Sequence, residues 1–211
     1  MLNAGVLTFQ EFVTHEALPL SRIHEAVLEF LRGRVDAVVF GAHAVNAYTS
    51  EPRMTQDVDV LATSAAEFVE EMRDHLNHKF HIALRVREVS GGKGFRLYQV
   101  QKTGNRHLVD VRPVAPLPPS HSIENILVLA PAELIASKVI AHWQRRGKPK
   151  SWTDMRDLAV LLLTFPELKN ETGAVTEILV NSGVVEDVLR VWRELVAQEI
   201  KVELEDEDLD Y

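Results

Sequence analysis

Apolar residues recur along this chain in two rhythms, one helical and one extended. From Ser21 they fall at Ile23, Val27, Leu28 and Leu31, a helical spacing that Gly33 closes and Pro19-Leu20-Ser21 opens. Val35-Asp36-Ala37-Val38-Val39-Phe40 is short, apolar and β-branched, which predicts a buried strand ending at Gly41. Residues 42–48 favour a short helix and 49–53 a loop. Asp57-Val58-Asp59-Val60-Leu61 alternates polar with apolar and reads as a second strand. Ser64 and Glu67 match a capping box, heading a helix that runs to about His78. Two longer strands are expected at about 81–89 and 95–101, joined by the turn Ser90-Gly91-Gly92-Lys93-Gly94. Residues 102–106 form another tight connection, into a strand at 107–112. Pro113, Pro116, Pro118 and Pro119 then mark a stiff linker. Beyond it the pattern is helical, at about 131–147, 152–165, 173–181 and 184–200.

This predicts an α/β (α+β) domain over 1–115, with a mixed sheet of about five strands flanked by helices. A C-terminal helical bundle follows over 120–202, and an acidic, frayed tail over 203–211. Two such halves commonly build a ligand site between them.

Length and composition narrow the chemistry. The 211 residues are 46% hydrophobic, enough for a real core. No cysteine is present, which excludes disulfides and thiolate metal sites. No signal peptide or membrane span is apparent, so a soluble, cytoplasmic protein with no membrane partner is expected. The net charge is −8, so any polyanion must be held by a local basic patch rather than the global field.

In Asp57-Val58-Asp59-Val60 both aspartates point to one face and both valines to the other. Two close carboxylates repel, and a divalent cation removes that conflict. Mg²⁺ takes hard oxygen ligands and works beside substrate phosphates, so a two-metal site is expected. Asp110 repeats the pattern within 107–112 and fits as a third carboxylate on a neighbouring strand. A lone D-x-D is weak, because exposed strands often alternate Asp and Val; the strand, glycine and short helix before it strengthen it. Phe40-Gly41-Ala42-His43-Ala44 sits where a strand becomes a helix. Gly41 would let backbone approach a phosphate, and the helix N-terminus offers free N–H groups. An ordinary turn reads the same way, and His43 is either a substrate contact or a plain turn residue.

Gly41-Ala42-His43-Ala44 followed by Arg53-Met54-Thr55-Gln56-Asp57-Val58-Asp59-Val60 resembles the signature of the nucleotidyltransferase superfamily that includes DNA polymerase beta. The Arg-x-Thr-x-Asp-hydrophobic-Asp form is similar to the minimal bacterial AbiEii-type toxins. Leu129-Ala130-Pro131-Ala132-Glu133-Leu134-Ile135-Ala136-Ser137-Lys138, Arg145-Arg146 and Asp154-Met155-Arg156-Asp157-Leu158 are similar to that group's helical half. The resemblance covers about 35–165. It implies a nucleotidyltransferase-like fold and transfer of a nucleoside monophosphate from an NTP such as ATP to an acceptor hydroxyl. The acceptor would be tRNA or other RNA, a protein side chain or a small molecule, and a cognate antitoxin would be the partner. Asp57, Asp59 and Asp110 would hold metal, with Lys138 and Asp157 as further catalytic residues and Asp154 as the alternate. Gly41, Ala42, His43, Arg53, Thr55 and Arg145 would serve the nucleotide, Arg53 and Thr55 mainly by orienting the loop before D-x-D. One departure stands out: active members often carry Ser or Gly where this chain has Ala42, which offers only its backbone N–H.

In the helical half, Lys138, His142 and Arg145 share one helix face, and Arg146, Lys148 and Lys150 follow, the one dense basic cluster in the sequence. Arg145 to Lys150 read either as a phosphate or RNA contact or as a solvated helix end, whereas Lys138, in mid-helix between Ile135 and Val139, is expected to serve a cleft. Ser151-x-x-Asp154 matches a capping box, whereas Asp157 borders an apolar stripe and calls for a cation from Lys138 or Arg145. Trp143 and Trp152 either stack on a base or pack against the helices. Two rivals remain open at this level. One is a catalytically weak or inactive binding module on the same fold, motivated by Ala42 and the acidity; the other is a metal-dependent nuclease.

Overall fold

The computed structural model describes residues 18–102 and 104–201. The expected acidic tail lies outside them. The chain divides into two compact units, Met1–Ala130 and Pro131–Tyr211.

In the first unit the described elements are α1 (Leu20–Leu31), β1 (Ala37–Phe40), α2 (Gly41–Tyr48), β2 (Val58–Ala62) and α3 (Ala65–Phe80). Strands β3 (Leu84–Val89), β4 (Gly94–Gln101), β5 (Gly104–Pro113), β6 (Ser120–Ile123) and β7 (Ile126–Leu129) complete it. Among the described residues these form one mixed seven-stranded sheet, ordered β3-β4-β5-β2-β1-β7-β6. β1 runs antiparallel to β2 and parallel to β7, while β2 and β5 are parallel. Helix α3 covers one face of β3–β5, burying Phe68, Val69, Met72 and Leu76. The valines of β2 and β5 (Val58, Val60, Val109 and Val111) are fully buried, so the alternation that separates them from the aspartates is realised.

Three expectations change. The sheet has seven strands rather than about five, because residues 120–129 form a hairpin on β1 and not the start of the helical part. The two residues of its loop, Glu124 and Asn125, both take positive φ, as a type I′ turn requires. The proline run therefore lies inside the first unit, and the units divide at Ala130/Pro131 instead of at 115–120. Ser64 does occupy the N-cap of α3, but its side chain makes no capping hydrogen bond, so the box with Glu67 is not formed.

The second unit holds α4 (Pro131–Gln144), α5 (Pro149–Thr164), a 3₁₀ turn (Pro166–Leu168), α6 (Ala174–Asn181) and α7 (Glu186–Ala197). Helix α4 packs against the other three helices. Trp192 is fully buried and its indole N–H donates to Thr176 Oγ1 at 2.8 Å. No helix among the described residues is long and apolar enough to cross a membrane.

Candidate active site

Strand register brings the carboxylates together. Asp59 on β2 is paired with Asp110 on parallel β5, and on its other side Asp59 is paired with Phe40 at the end of β1. Gly41 follows, with φ +69°, in the left-handed region that favours glycine. A Cβ there would lie 2.0 Å from Asp59 Oδ2, 2.7 Å from its Cγ and 2.9 Å from its Cβ. The backbone of the turn thus rests on the Asp59 side chain, and α2 begins at that contact.

Asp57 lies just before β2 and turns toward His107, whose Nδ1 is 3.1 Å from Asp57 Oδ2. Strict alternation along 107–112 would put His107 on the face opposite Asp110. A β-bulge prevents this: Leu97 pairs with Val109 but Tyr98 pairs with His107, leaving Leu108 unpaired. His107 thereby joins the Asp110 face, where its ring lies 5.1 Å from that of Tyr98. Sequence alternation cannot reveal this residue, because the bulge leaves no mark in the hydrophobic pattern.

Asp110 is buried, and its register partner on β4 is Arg96. The guanidinium Nε stands 3.7 Å from Asp110 Oδ2, a loose pair. The hydrogen bond to Tyr98 and then the Asp110 carboxylate push the Arg96 pKa above its ordinary value. Arg112 flanks the pair on the other side, with its guanidinium 4.9 Å over the Phe40 ring.

His43 packs edge-on against His24 of α1, with ring centroids 4.9 Å apart. Burial, then the neighbouring His24, pushes the His43 pKa down to about 4, so near pH 7 it is a neutral imidazole and adds no positive charge for phosphate. Burial lowers His24 as well. The Nε2 atoms of both rings are buried without a hydrogen-bond partner. His24 shares the apolar face of α1 with Ile23, Val27 and Leu31, a polar interruption that could have marked it in the sequence.

The loop before β2 is tied down as its residue types suggest. Asn46 clamps Arg53 twice, accepting from its backbone N at 3.0 Å and donating to its carbonyl at 2.8 Å. Thr55 Oγ1 donates to the Asp57 carbonyl at 3.1 Å. Asn46 escaped the sequence reading; an asparagine inside a short helix is the signal it left. Ala42 is buried directly behind the turn.

The donor chemistry of this face, two carboxylates on paired strands and a third just before β2, suits a hard divalent cation. Among the described residues no three His, Asp or Glu side chains already close on one cation position. Asp57 is turned to His107 and Asp110 to Arg96, so the carboxylates are gathered on one face but not yet converged.

The second unit brings its own expected residues together. Lys138 is buried on α4, with its Nζ 2.6 Å from Asp157 Oδ2 and 3.7 Å from Asp154 Oδ1. Arg145 reaches both oxygens of Asp154, at 2.7 and 3.0 Å. Two cations thus match two buried aspartates. Helix α5 begins at Pro149, so Asp154 is an ion-pair member and not part of a capping box, and Ser151 instead donates to the His142 carbonyl at 3.2 Å. Of the two tryptophans expected to stack or pack, Trp143 carries Arg146 over its ring at 4.6 Å, and Trp152 is exposed.

The model of the family described as nucleotidyl transferase AbiEii toxin, type IV TA system, matches residues 33–207. No curated protein matches the chain. Among solved structures, the Megavirus polyadenylate synthase is similar with a TM-score of 0.56 at 15% identity, over 70% of this chain and 32% of that one. This chain therefore spans about a third of the synthase. JHP933 from Helicobacter pylori is similar with a TM-score of 0.54 at 14% identity, over 90% of each chain. A candidate nucleotidyltransferase from H. pylori gives 0.52 at 12%, over 84% of this chain and 90% of that one. At such identities the likeness is one of fold.

Proposed function

Because the chain belongs to the nucleotidyl transferase AbiEii toxin family of type IV toxin–antitoxin systems, we propose that it moves a nucleoside monophosphate from an NTP such as ATP to a hydroxyl of tRNA or another RNA, using Mg²⁺ held by Asp57, Asp59 and Asp110. Family membership makes it a nucleotidyltransferase; the metal, the acceptor and the residue roles are our reading. The observation that carries it is the register pairing of Asp59 with Asp110 under the Gly41 turn.

In the transfer, the acceptor oxygen bonds to the α-phosphorus, the bond from that phosphorus to the bridging oxygen breaks, and pyrophosphate leaves. Bound Mg²⁺ supplies positive charge for the leaving group and eases loss of the hydroxyl proton. Asp110 accepts that proton. The backbone N–H groups at Gly41 and Ala42 cradle phosphate oxygens at the start of α2. His43 shapes that turn as a neutral group, and Arg53 and Thr55 fix the loop that delivers Asp57. Lys138 and Asp157 are read as the catalytic pair of the helical unit, with Arg145 serving the nucleotide. A cognate antitoxin is the expected protein partner, and the cytoplasm is the expected place of action.

Labelled NTPs incubated with Mg²⁺, total tRNA or lysate, and either wild type or Asp57→Ala test this directly. Label in RNA with wild type alone is the expected result. Loss of intact RNA without NTP would point to a nuclease instead. No labelled product of any kind, with no NTP-induced rise in melting temperature, would indicate a binding module.

Gly41→Ala provides a second check. Turning the Asp59 carboxylate away cannot relieve the clash, because Cγ and Cβ are also closer than 3.0 Å to the new methyl. The left-handed φ adds roughly 1–2 kcal/mol of strain. Asp59 must shift, and a displacement of that kind costs on the order of 100-fold in rate. A steady-state transfer assay and a thermal melt on the same sample separate the two effects.

A further inference from the structure

Register partners form a single row across five strands: Phe40 on β1, Asp59 on β2, Asp110 on β5, Arg96 on β4 and Arg87 on β3. The next row toward the other strand ends places Arg85 beside Tyr98, and Tyr98 beside His107. Adjacent strands lie about 5 Å apart, so Arg96 and Arg87 stand about 5 and 10 Å beyond Asp110. Arg85, Arg87 and Arg96 are exposed, and Glu88 points to the opposite face of β3. Neither Arg85 nor Arg87 makes a side-chain hydrogen bond or ion pair with any described residue. Basic residues on an edge strand can simply discourage edge-to-edge pairing. That does not explain Arg96, which lies on an inner strand and extends the same row to the carboxylates.

The order along the row assigns its ends. The attacking and leaving oxygens lie roughly in line on opposite sides of the transferred phosphorus. With pyrophosphate at the Gly41 end, the acceptor must approach from the β4–β3 end, where the guanidinium groups are. Arginine forks match phosphate oxygens in a bidentate manner. We propose that Arg85, Arg87 and Arg96 bind the phosphodiester backbone of the RNA acceptor and lead its hydroxyl to Asp110. This rests on the reading that transfer runs to RNA.

The test uses the full chain and fluorescein-labelled total tRNA, without NTP, followed by anisotropy over a salt series. Arg85→Ala/Arg87→Ala should weaken binding by about ten-fold or more and make the log–log salt slope shallower by roughly 1.5, the share of two lost phosphate contacts. In the transfer assay its KM for tRNA should rise by a similar factor while the KM for NTP holds. Lys148→Ala/Lys150→Ala, which removes part of the other basic cluster, should stay within about two-fold of wild type. Wild-type affinity and slope in the arginine variant would overturn the proposal, as would a loss confined to the lysine variant, or no RNA binding by wild type. Arginine-dependent binding with no label ever reaching RNA would uphold the platform and refute RNA as the acceptor of transfer.

Discussion

Asp59→Asn should lower nucleotidyl transfer by on the order of 1,000-fold while shifting the melting temperature by only a few degrees. The amide keeps the shape that rests against Gly41 but gives up the charge and one oxygen donor. Losing one carboxylate from a metal-assisted site removes several kcal/mol of transition-state stabilisation, and each 1.36 kcal/mol is ten-fold in rate. Asp59 is paired in register with Asp110, so the substitution also removes one of two like charges on neighbouring strands. Single-turnover transfer measured beside a thermal melt checks both halves of the prediction. An Asp59→Asn variant that retains a tenth of the activity would show that Asp59 does not hold the metal.

Lys138→Ala should be the most destabilising single change in the helical unit. It takes the Lys138 ammonium away from buried Asp157 and Asp154, while Arg145 stays paired with Asp154. Breaking a buried pair from one side costs about 3–5 kcal/mol. For a chain of this size that is a fall of roughly 10 °C in melting temperature. Lys138→Met/Asp157→Leu should recover much of the loss, because the Lys138 ammonium and the Asp157 carboxylate that pairs with it are removed together. If Lys138→Ala melts like wild type yet loses transfer, Lys138 acts on substrate and its ion pairs contribute little. If the double variant is stable but inactive, the pair serves both ends.

The difference between these two residues reflects what a sequence can carry. Asp57 and Asp59 are legible because alternation along a strand needs only local geometry, and the buried valines beside them confirm the rule. Asp157 is legible because a carboxylate at the edge of an apolar stripe demands a cation, and Lys138 supplies it. Asp154 misled, since the same four residues that spell a capping box also fit an ion-pair partner once the helix starts earlier, at Pro149. His107 was out of reach, because a one-residue bulge changes its face without changing its neighbours in sequence. The β6–β7 hairpin was missed for a related reason. Its strands are four residues each, they follow a proline run, and the loop is Glu124-Asn125 rather than the Asn-Gly that usually marks a type I′ turn.

The parallel pairing of β2 with β5 has a consequence for synthesis. Asp59 and Asp110 are separated along the chain by α3 and the whole β3–β4 hairpin, and nothing local holds them together. Non-local pairs of this kind form late, after the entropy of loop closure has been overcome. A nascent chain that has emerged only as far as β4 carries the glycine turn and the D-x-D strand but no third carboxylate. On the proposed assignment of Asp110 as the third metal carboxylate, a chain cut short upstream of it lacks a complete site and is expected to be inert in the transfer assay.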